Sequence, residues 1–514
     1  MKSKTTLLCL ASSFLLWLSF PAFNLGYLAG VGFLPLFFAL QDKTKRSAFW
    51  LSYFSGFIFF MLVLYWLVHV TLVGLIVLCL YLAFYFAFFG YFFVGFKSRL
   101  VDLDLPLIIF LSSIWVVLEY TRSHLFTDFP WALLGYSQYQ NIGLIQIADT
   151  VGSLGVSFVV IFMNLQIFQI VKLIQAKEFR RISRALLILI LPFIIIYTYG
   201  FYAINKYSSD SQTVLQVSLL QGNIPQEAKG ASIYREKIKQ IYFDLTRQSA
   251  KKEPDLIIWP ESAYPNYFSQ RDLFIPNPLK ELIREVQGSI LFGAVLEQEN
   301  KYYNGAILFP SELSQPVFYK KIHLVPFGEY LPLRRYLPFL VKFVPIEDFD
   351  SGREFVVFET KNKQGQPVSF SVLICFEDTI PELARQFRLR GADFLVNITN
   401  DAWFKETSSP YQHLQASIFR ALENRVYVLR AANTGITCII DNCGRVVKKA
   451  RDKDGQDIFI QGFINGEVKK QDALSFYSRF GDFFFLICSI YMLWYALFPA
   501  RKKMFKDKKY CPRF

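Results

Sequence analysis

The sequence predicts an integral membrane helix bundle of about eight transmembrane helices joined to a large polar α/β domain. Three observations predict it. Of 514 residues, 53% are hydrophobic and 18% aromatic, with 55 Phe and 28 Tyr. These apolar residues gather in blocks long enough, or nearly so, to cross ~30 Å of hydrocarbon. Basic residues collect in loops that fall on one side of those blocks. One long polar segment, residues 206–478, alternates strand-like and helix-like patterns.

The apolar blocks fall at about 5–22, 25–41, 50–70, 71–95, 105–120, 153–174, 184–204 and 480–499. The first follows Lys2 and Lys4, as a signal peptide would. Phe20 and Pro21 stand where a cleavage site needs small residues, so it reads as a retained helix. Threaded from a cytoplasmic N-terminus, the inside loops carry Lys43, Lys45 and Arg46, then Lys97 and Arg99, then Lys172, Lys177, Arg180, Arg181 and Arg184. The C-terminal RKKMFKDKKYCPRF is inside as well, whereas the outside loops hold little that is basic beyond Arg122. This bias accounts for most of the formal charge of +14. No nucleic-acid partner is needed to explain it. The expected organisation is helices one to seven over 1–205, a non-cytoplasmic domain over 206–478, and the eighth helix with a basic cytoplasmic tail over 479–514.

Within the polar segment, VLQVSLLQG (214–222) reads as a buried strand and 231–250 as a helix. DLIIWPE is a strand that Pro260 stops, and LKELIREVQ a helix. SILFGAVLE and YYNGAILF are two strands around a polar turn, and FSVLICFE is another strand. IPELARQFRLRG is a helix closed by glycine, ADFLVNIT a strand, and 410–430 a helix. Short strands follow in GITCIID, GRVVKK and DIFIQGFI. Apolar-throughout strands between helices suit a sheet covered on both faces. Cys375, Cys438 and Cys443 give this domain an odd cysteine count, so at least one thiol is left unpaired within it. Cys438 and Cys443 flank a turn and could pair. No Cys/His metal spacing is visible, and neither metal nor cofactor is expected.

Three strand ends carry candidate chemistry. Glu261 follows a strand in WPES, where a part-buried carboxyl would have a raised pKa and act as a base near neutral pH. Lys320 and Lys321 follow a strand in FYKKIHLVPFGEYLP, and a lysine there can stabilise a developing oxyanion. Cys375 ends the apolar run of SVLICFEDTI and needs a base or cation nearby to become a nucleophile. Each signal alone is weak, since turn acids and lysine pairs are usually solvated and free cysteines usually buried. His323, between Ile322 and Leu324, reads as a packed, hydrogen-bonded histidine rather than a catalyst.

WPES, YKKIHL and LICFED resemble the Glu, Lys and Cys segments of the nitrilase (carbon–nitrogen hydrolase) superfamily. With the helices around them, HLVPFGEYLP, NITNDAWF and RALENRVYVLRAANTGIT resemble the apolipoprotein N-acyltransferases of Gram-negative bacteria, over essentially the whole chain. The resemblance implies an αββα sandwich with Cys375 as nucleophile, Glu261 as general base and Lys321 as oxyanion stabiliser. Lys321, not Lys320, holds the first place of the K-x-H-L pattern. Glu329 is expected to orient Lys321, Glu377 to anchor the turn around Cys375, and Trp403 to lie near the active site. Asp378 is expected to be a helix N-terminal acid.

The implied reaction moves an acyl chain from a membrane phospholipid, through a Cys375 thioester, to the α-amino group of a diacylated apolipoprotein. It implies a bacterial inner-membrane enzyme, with the catalytic domain periplasmic and both termini cytoplasmic. A monomer is expected, and a largely apolar cleft around Cys375 that keeps the thioester from water. Apolar stretches at 264–278 and 330–349, the second with Arg334 and Arg335, are expected to serve as lids or lipid-contacting arms. Glu119 and Arg122 would pair or face a polar cavity. Two rivals remain: a membrane-tethered amidase or nitrilase using the same residues on a small amide, and a transporter or scaffold with an inactive outer domain.

Overall fold

The apolar blocks become helices whose ends are set by local chemistry. In a computed structural model that describes residues 2–96, 104–125, 128–209, 212–229, 232–269, 276–331 and 348–497, the first helices are α1 (Lys2–Leu18), α2 (Leu34–Leu40), α3 (Lys45–Val63), α4 (Leu72–Gly95) and α5 (Leu105–His124). The short α6 (Ile142–Ile145) precedes α7 (Ala148–Gln175) and α8 (Phe179–Ser209). Thr44, Thr71 and Asp104 cap α3, α4 and α5, each side-chain oxygen accepting a backbone N–H of the first turn. Among the described residues five helices, α3, α4, α5, α7 and α8, are long and apolar enough to cross a membrane; α1, the segment 26–40 and Phe483–Leu497 are shorter apolar helices.

The second expected block is not one continuous helix. It breaks into a 3-10 turn, Gly26–Gly30, and α2, with Pro35 in the first turn of α2. Proline lacks the N–H that a helix interior needs, so it starts a helix rather than continuing one. The third block begins earlier than expected, because Thr44 caps the chain at Lys45.

Strands and helices then alternate: β1 (Gln212–Gln221), α9 (Gln226–Lys229), α10 (Arg235–Ala250), β2 (Leu256–Ile258), β3 (Phe268–Ser269), α11 (Asn277–Val286), β4 (Ser289–Gln298), β5 (Lys301–Phe309) and β6 (Val317–Lys320). The second half holds β7 (Phe358–Lys361), β8 (Pro367–Ile374), α12 (Pro381–Leu389), β9 (Phe394–Thr399), α13 (Ser409–Asn424), β10 (Tyr427–Ala432), β11 (Cys438–Ile440), β12 (Val446–Lys449) and β13 (Gly462–Lys470). The helices α14 (Phe476–Phe480) and α15 (Phe483–Leu497) return the chain to the bundle.

The strands form two sheets, in the order β13-β1-β2-β4-β5-β6, with β3 beside β4, and β12-β11-β10-β9-β8-β7. Each has three parallel strands at its centre, β1-β2-β4 and β8-β9-β10; the strands outside them are antiparallel, except β3, which runs parallel to β4. The sheets face each other, β1 against β10 and β5 against β8. One outer layer is α10 and α11, whose apolar faces pack with Trp259 and Phe292 in a separate core. The other is α12 and α13. The result is a four-layer sandwich, αββα.

Two expectations for this part fail, and one strand has no counterpart among them. Residues 427–430, expected to end a helix, belong to β10, because Arg425 closes α13 in the left-handed region at φ 52°. No glycine marks that stop, so nothing in the residues announces it. The last strand lies at 462–470 rather than over DIFIQGFI, paired along its length with β1. The short edge strand β7 was not expected. Cys438 and Cys443 are both buried, free thiols.

The sandwich sits on the bundle through α13. Gln412 accepts from the indoles of Trp66 (3.1 Å) and Trp131 (2.9 Å) and donates to the Val63 carbonyl (3.0 Å). Arg425 forms an ion pair with Asp149 at 2.7 Å, and Glu423 accepts from the Ser153 N–H at 3.0 Å. These partners lie at the end of α3, after α5 and at the start of α7. The basic α7–α8 turn lies at the far end of the same helices. Of the two expected arms, 270–275 and 332–347, with Arg334 and Arg335, lie outside the described residues.

Candidate active site

Glu261, Lys321 and Cys375 each follow the C-terminal end of a strand: β2, β6 and β8. Buried apolar strands hold their backbones fixed, and pairing stops where these residues begin. After β2, Trp259 donates to the Leu291 carbonyl (2.8 Å), and the Pro260 carbonyl accepts from Gly293 (3.1 Å). A Cβ at Gly293 would lie 2.6 Å from the Glu261 Cα, so only glycine lets β4 pass this closely beneath the acid.

The first sheet assembles one charge cluster. Lys321 Nζ donates to Glu329 Oε1 at 2.9 Å, is 2.8 Å from Glu329 Oε2, and lies 4.0 Å from Glu261 Oε1. Asn304 on β5 ties the acids together, its Nδ2 donating to Glu261 Oε1 and Glu329 Oε1 at 2.7 Å each. Its carbonyl also accepts the Lys321 N–H at 2.8 Å. Burial pushes the Glu261 carboxyl above its ordinary range; Lys321 opposes this and Glu329 adds to it. Burial alone would favour neutral Lys321, but Glu329 and Glu261 outweigh it and keep the ammonium charged well above the usual lysine range.

Cys375 opens a 3-10 turn, Cys375–Thr379, in the left-handed region at φ 52°. A non-glycine residue held there stores about 1–3 kcal/mol of strain. Two side chains pin it. Asn397 donates to the carbonyls of Leu373 and Cys375 at 3.1 Å each. Glu377 accepts from the N–H groups of Ile374 (2.8 Å), Ile322 (2.7 Å) and His323 (3.0 Å) and from the Tyr319 hydroxyl (2.8 Å), joining the cysteine turn to the lysine segment. Burial raises the Glu377 carboxyl to about 7 against the pull of Lys321 and those N–H donors. The Cys375 thiol lies far above its usual range, raised by burial and by Glu261 and lowered by Lys321. It is therefore a thiol at rest, and needs a base in contact to become a nucleophile.

A second cluster lies beneath the turn. His413 sits between Asp378 (Nε2 to Oδ1, 2.8 Å) and Asp401 (Nδ1 to Oδ1, 3.0 Å), and Arg430 bridges the same acids at 3.2 and 3.0 Å. All four are buried. Burial and Arg430 would deprotonate His413, but the two aspartates outweigh them and hold it at about 9. Asp378 is thus no simple helix-terminal acid. Sequence reasoning missed Asn304, Asp401, His413 and Arg430, which carry no spacing signal.

The remaining expected residues separate. Trp403 is 53% exposed on the turn that carries Asp401. His323 is 3.5 Å from Asp128. Glu119 and Arg122 are buried and both line one small cavity whose other walls, Phe60, Phe86 and Trp115, are apolar rather than polar; Glu119 accepts from the Leu134 N–H at 2.7 Å, and Arg122 donates to the Ala132 carbonyl at 3.4 Å.

A sandwich of this topology seated on apolar helices defines a membrane-borne protein of the carbon–nitrogen hydrolase class. The Carbon-nitrogen hydrolase family model matches residues 216–462, and that of the Apolipoprotein N-acyltransferase N-terminal domain matches 12–166. The chain is 37% identical to the apolipoprotein N-acyltransferase of Geobacter metallireducens, over 94% of this chain and 92% of the relative. It is 31% identical to that of Pasteurella multocida, over 96% and 95%. Among solved structures, an amidase from Nesterenkonia sp. matches 52% of this chain and 93% of its own, at 16% identity and a TM-score of 0.37. The chain belongs to the apolipoprotein N-acyltransferase family.

Proposed function

We propose that this chain transfers an acyl group from a membrane phospholipid to the N-terminal α-amino group of diacylated apolipoproteins, through a thioester on Cys375. The observation that carries the reading is the Lys321–Glu261–Glu329 cluster beside a strained cysteine turn, in a domain docked on apolar helices. Glu261 takes the thiol proton as sulfur attacks the ester carbonyl. Lys321 faces the oxyanion, and Glu329 and Asn304 hold Lys321 and Glu261 in place. Collapse breaks the ester C–O bond, and Glu261 returns the proton to the leaving lysophospholipid oxygen. The acceptor amine then attacks the thioester carbonyl, Glu261 takes one amine proton, and the thiolate leaves and is reprotonated.

Membrane placement supports this reading over a small-amide hydrolase. Each CH₂ drawn from lipid into water costs about 0.8 kcal/mol, so an acyl donor is reached only by an enzyme at the bilayer. The domain packs on the bundle end opposite the basic α7–α8 turn, which supports a periplasmic domain in the bacterial inner membrane.

Intact-mass analysis of enzyme incubated with phospholipid tests the proposal. An acyl adduct on Cys375 is expected, absent from Cys375→Ala and discharged by a diacylated lipopeptide. Ammonia release from simple amides with no adduct from phospholipid would overturn it.

A further inference from the structure

One cation near Glu261 stands outside the residues described so far. Lys229 ends α9, and its Nζ donates to the backbone carbonyl of Glu261 at 3.0 Å. The loop that delivers it is tied down at several points. Asn433 accepts the Ile224 N–H at 2.9 Å, donates to the Ile224 carbonyl at 2.7 Å, and its carbonyl accepts the Asn223 N–H at 2.9 Å. Asn400 adds a bond to Gln226 at 2.7 Å. A surface lysine needs no such scaffold, since it would trade this one bond for water at little loss.

We infer that Lys229 is a positioning residue that acts through Glu261: anchored on the main-chain carbonyl of the base, it supplies positive charge to the acid–thiol pair. This deepens the function proposed above, which rests on Glu261 and Cys375. The first cluster holds two acids, Glu261 and Glu329, against the single ammonium of Lys321. Lys229, seated on the main-chain carbonyl of Glu261, offsets part of that excess without cancelling it, and the Glu261 carboxyl stays raised. Burial lowers its ammonium to about 8, while Glu261 and Cys375 pull it back up. Its charge is therefore present at neutral pH and fades above pH 8. Reciprocally, it draws the Glu261 carboxyl down, against burial and Glu329 and alongside Lys321 and Asn304.

The test reads the pH dependence of Cys375 in full-length protein in detergent. Alkylation by iodoacetamide requires no acyl donor, and thioester formation from phospholipid is followed in parallel. Lys229→Met should slow both about tenfold near pH 6.5 and leave them within about twofold of wild type at pH 9.5, where Lys229 is already neutral. Lys229→Arg should restore the low-pH rates. A uniform loss at every pH, or an arginine variant that behaves like the methionine one, would overturn the inference. A wild-type protein whose Cys375 alkylates with this pH dependence but never forms a thioester would sink the acyl-transfer reading and leave the role of Lys229 standing.

Discussion

Two charge clusters flank Cys375, both built from carboxylates and nitrogen cations, and they differ in charge balance. Glu261, Glu329 and Lys321 lie on the side of the first sheet; Asp378, Asp401, His413 and Arg430 lie under the second. The second cluster matches two acids with two cations. Burial would raise Asp401, but Arg430 and His413 hold it below the ordinary carboxylate range. The first cluster has two acids for one lysine, and burial leaves Glu261 raised. Charge parity makes a brace, and an excess carboxylate makes a group that can accept a proton.

The sharpest way to break that contrast is to neutralise one acid in each cluster. Glu261→Gln keeps the shape and the bond from Asn304 but cannot take a proton. Thioester formation should fall about 10²- to 10⁴-fold with little change in Tm. Asp378→Asn strands His413 and Arg430 against a single acid. Breaking a buried pair in this way costs about 3–5 kcal/mol, read as a lower Tm in detergent, while the molecules that remain folded keep their turnover. A catalytic loss in Asp378→Asn at unchanged Tm would erase the distinction.

The brace should also reveal itself in pH. His413 is held at about 9, above its unfolded value near 6.5. A raised pKa contributes stability that is fully present below the unfolded value and is lost as pH rises through the folded one. Thermal stability should therefore fall between pH 7 and pH 9.5, by about 2 kcal/mol from this group. His413→Gln should flatten that slope, and an unchanged slope would mean that His413 does not carry the charge.

How much of this was legible in the residues follows the same division. Glu261, Lys321 and Cys375 each end a strand, where an apolar run stops and a polar residue begins, so position alone drew attention to them. The brace has no such mark. His413 lies in the second turn of α13, Asp401 in a 3-10 turn and Arg430 inside β10, and only the fold brings them together. The residue pattern carries the helix on through the strand bearing Arg430, because α13 stops at Arg425 without a glycine. In the bundle, apolar block length was enough to find the helices. It did not reveal that Pro35 splits the second block, or that α13 of the sandwich domain is the docking surface.

Asn304 gives the finest test, because it belongs to the first cluster without being charged. Its amide donates to both Glu261 and Glu329, so it offsets part of the repulsion between the acids and fixes their separation. Removing a donor from a buried carboxylate costs about 1.5 kcal/mol or more, which predicts roughly a tenfold slower acylation for Asn304→Ala at pH 7. The donor also draws the Glu261 carboxyl down, so its loss should move the acid limb of the pH–rate profile upward and leave the rate at high pH less affected. Asn304→Asp has nearly the same shape but replaces the donor with a third acid. If Asn304 serves only to fill space, the aspartate variant should outperform the alanine one. If it serves as a donor between two carboxylates, the aspartate variant should be the slower of the two at pH 7 and above.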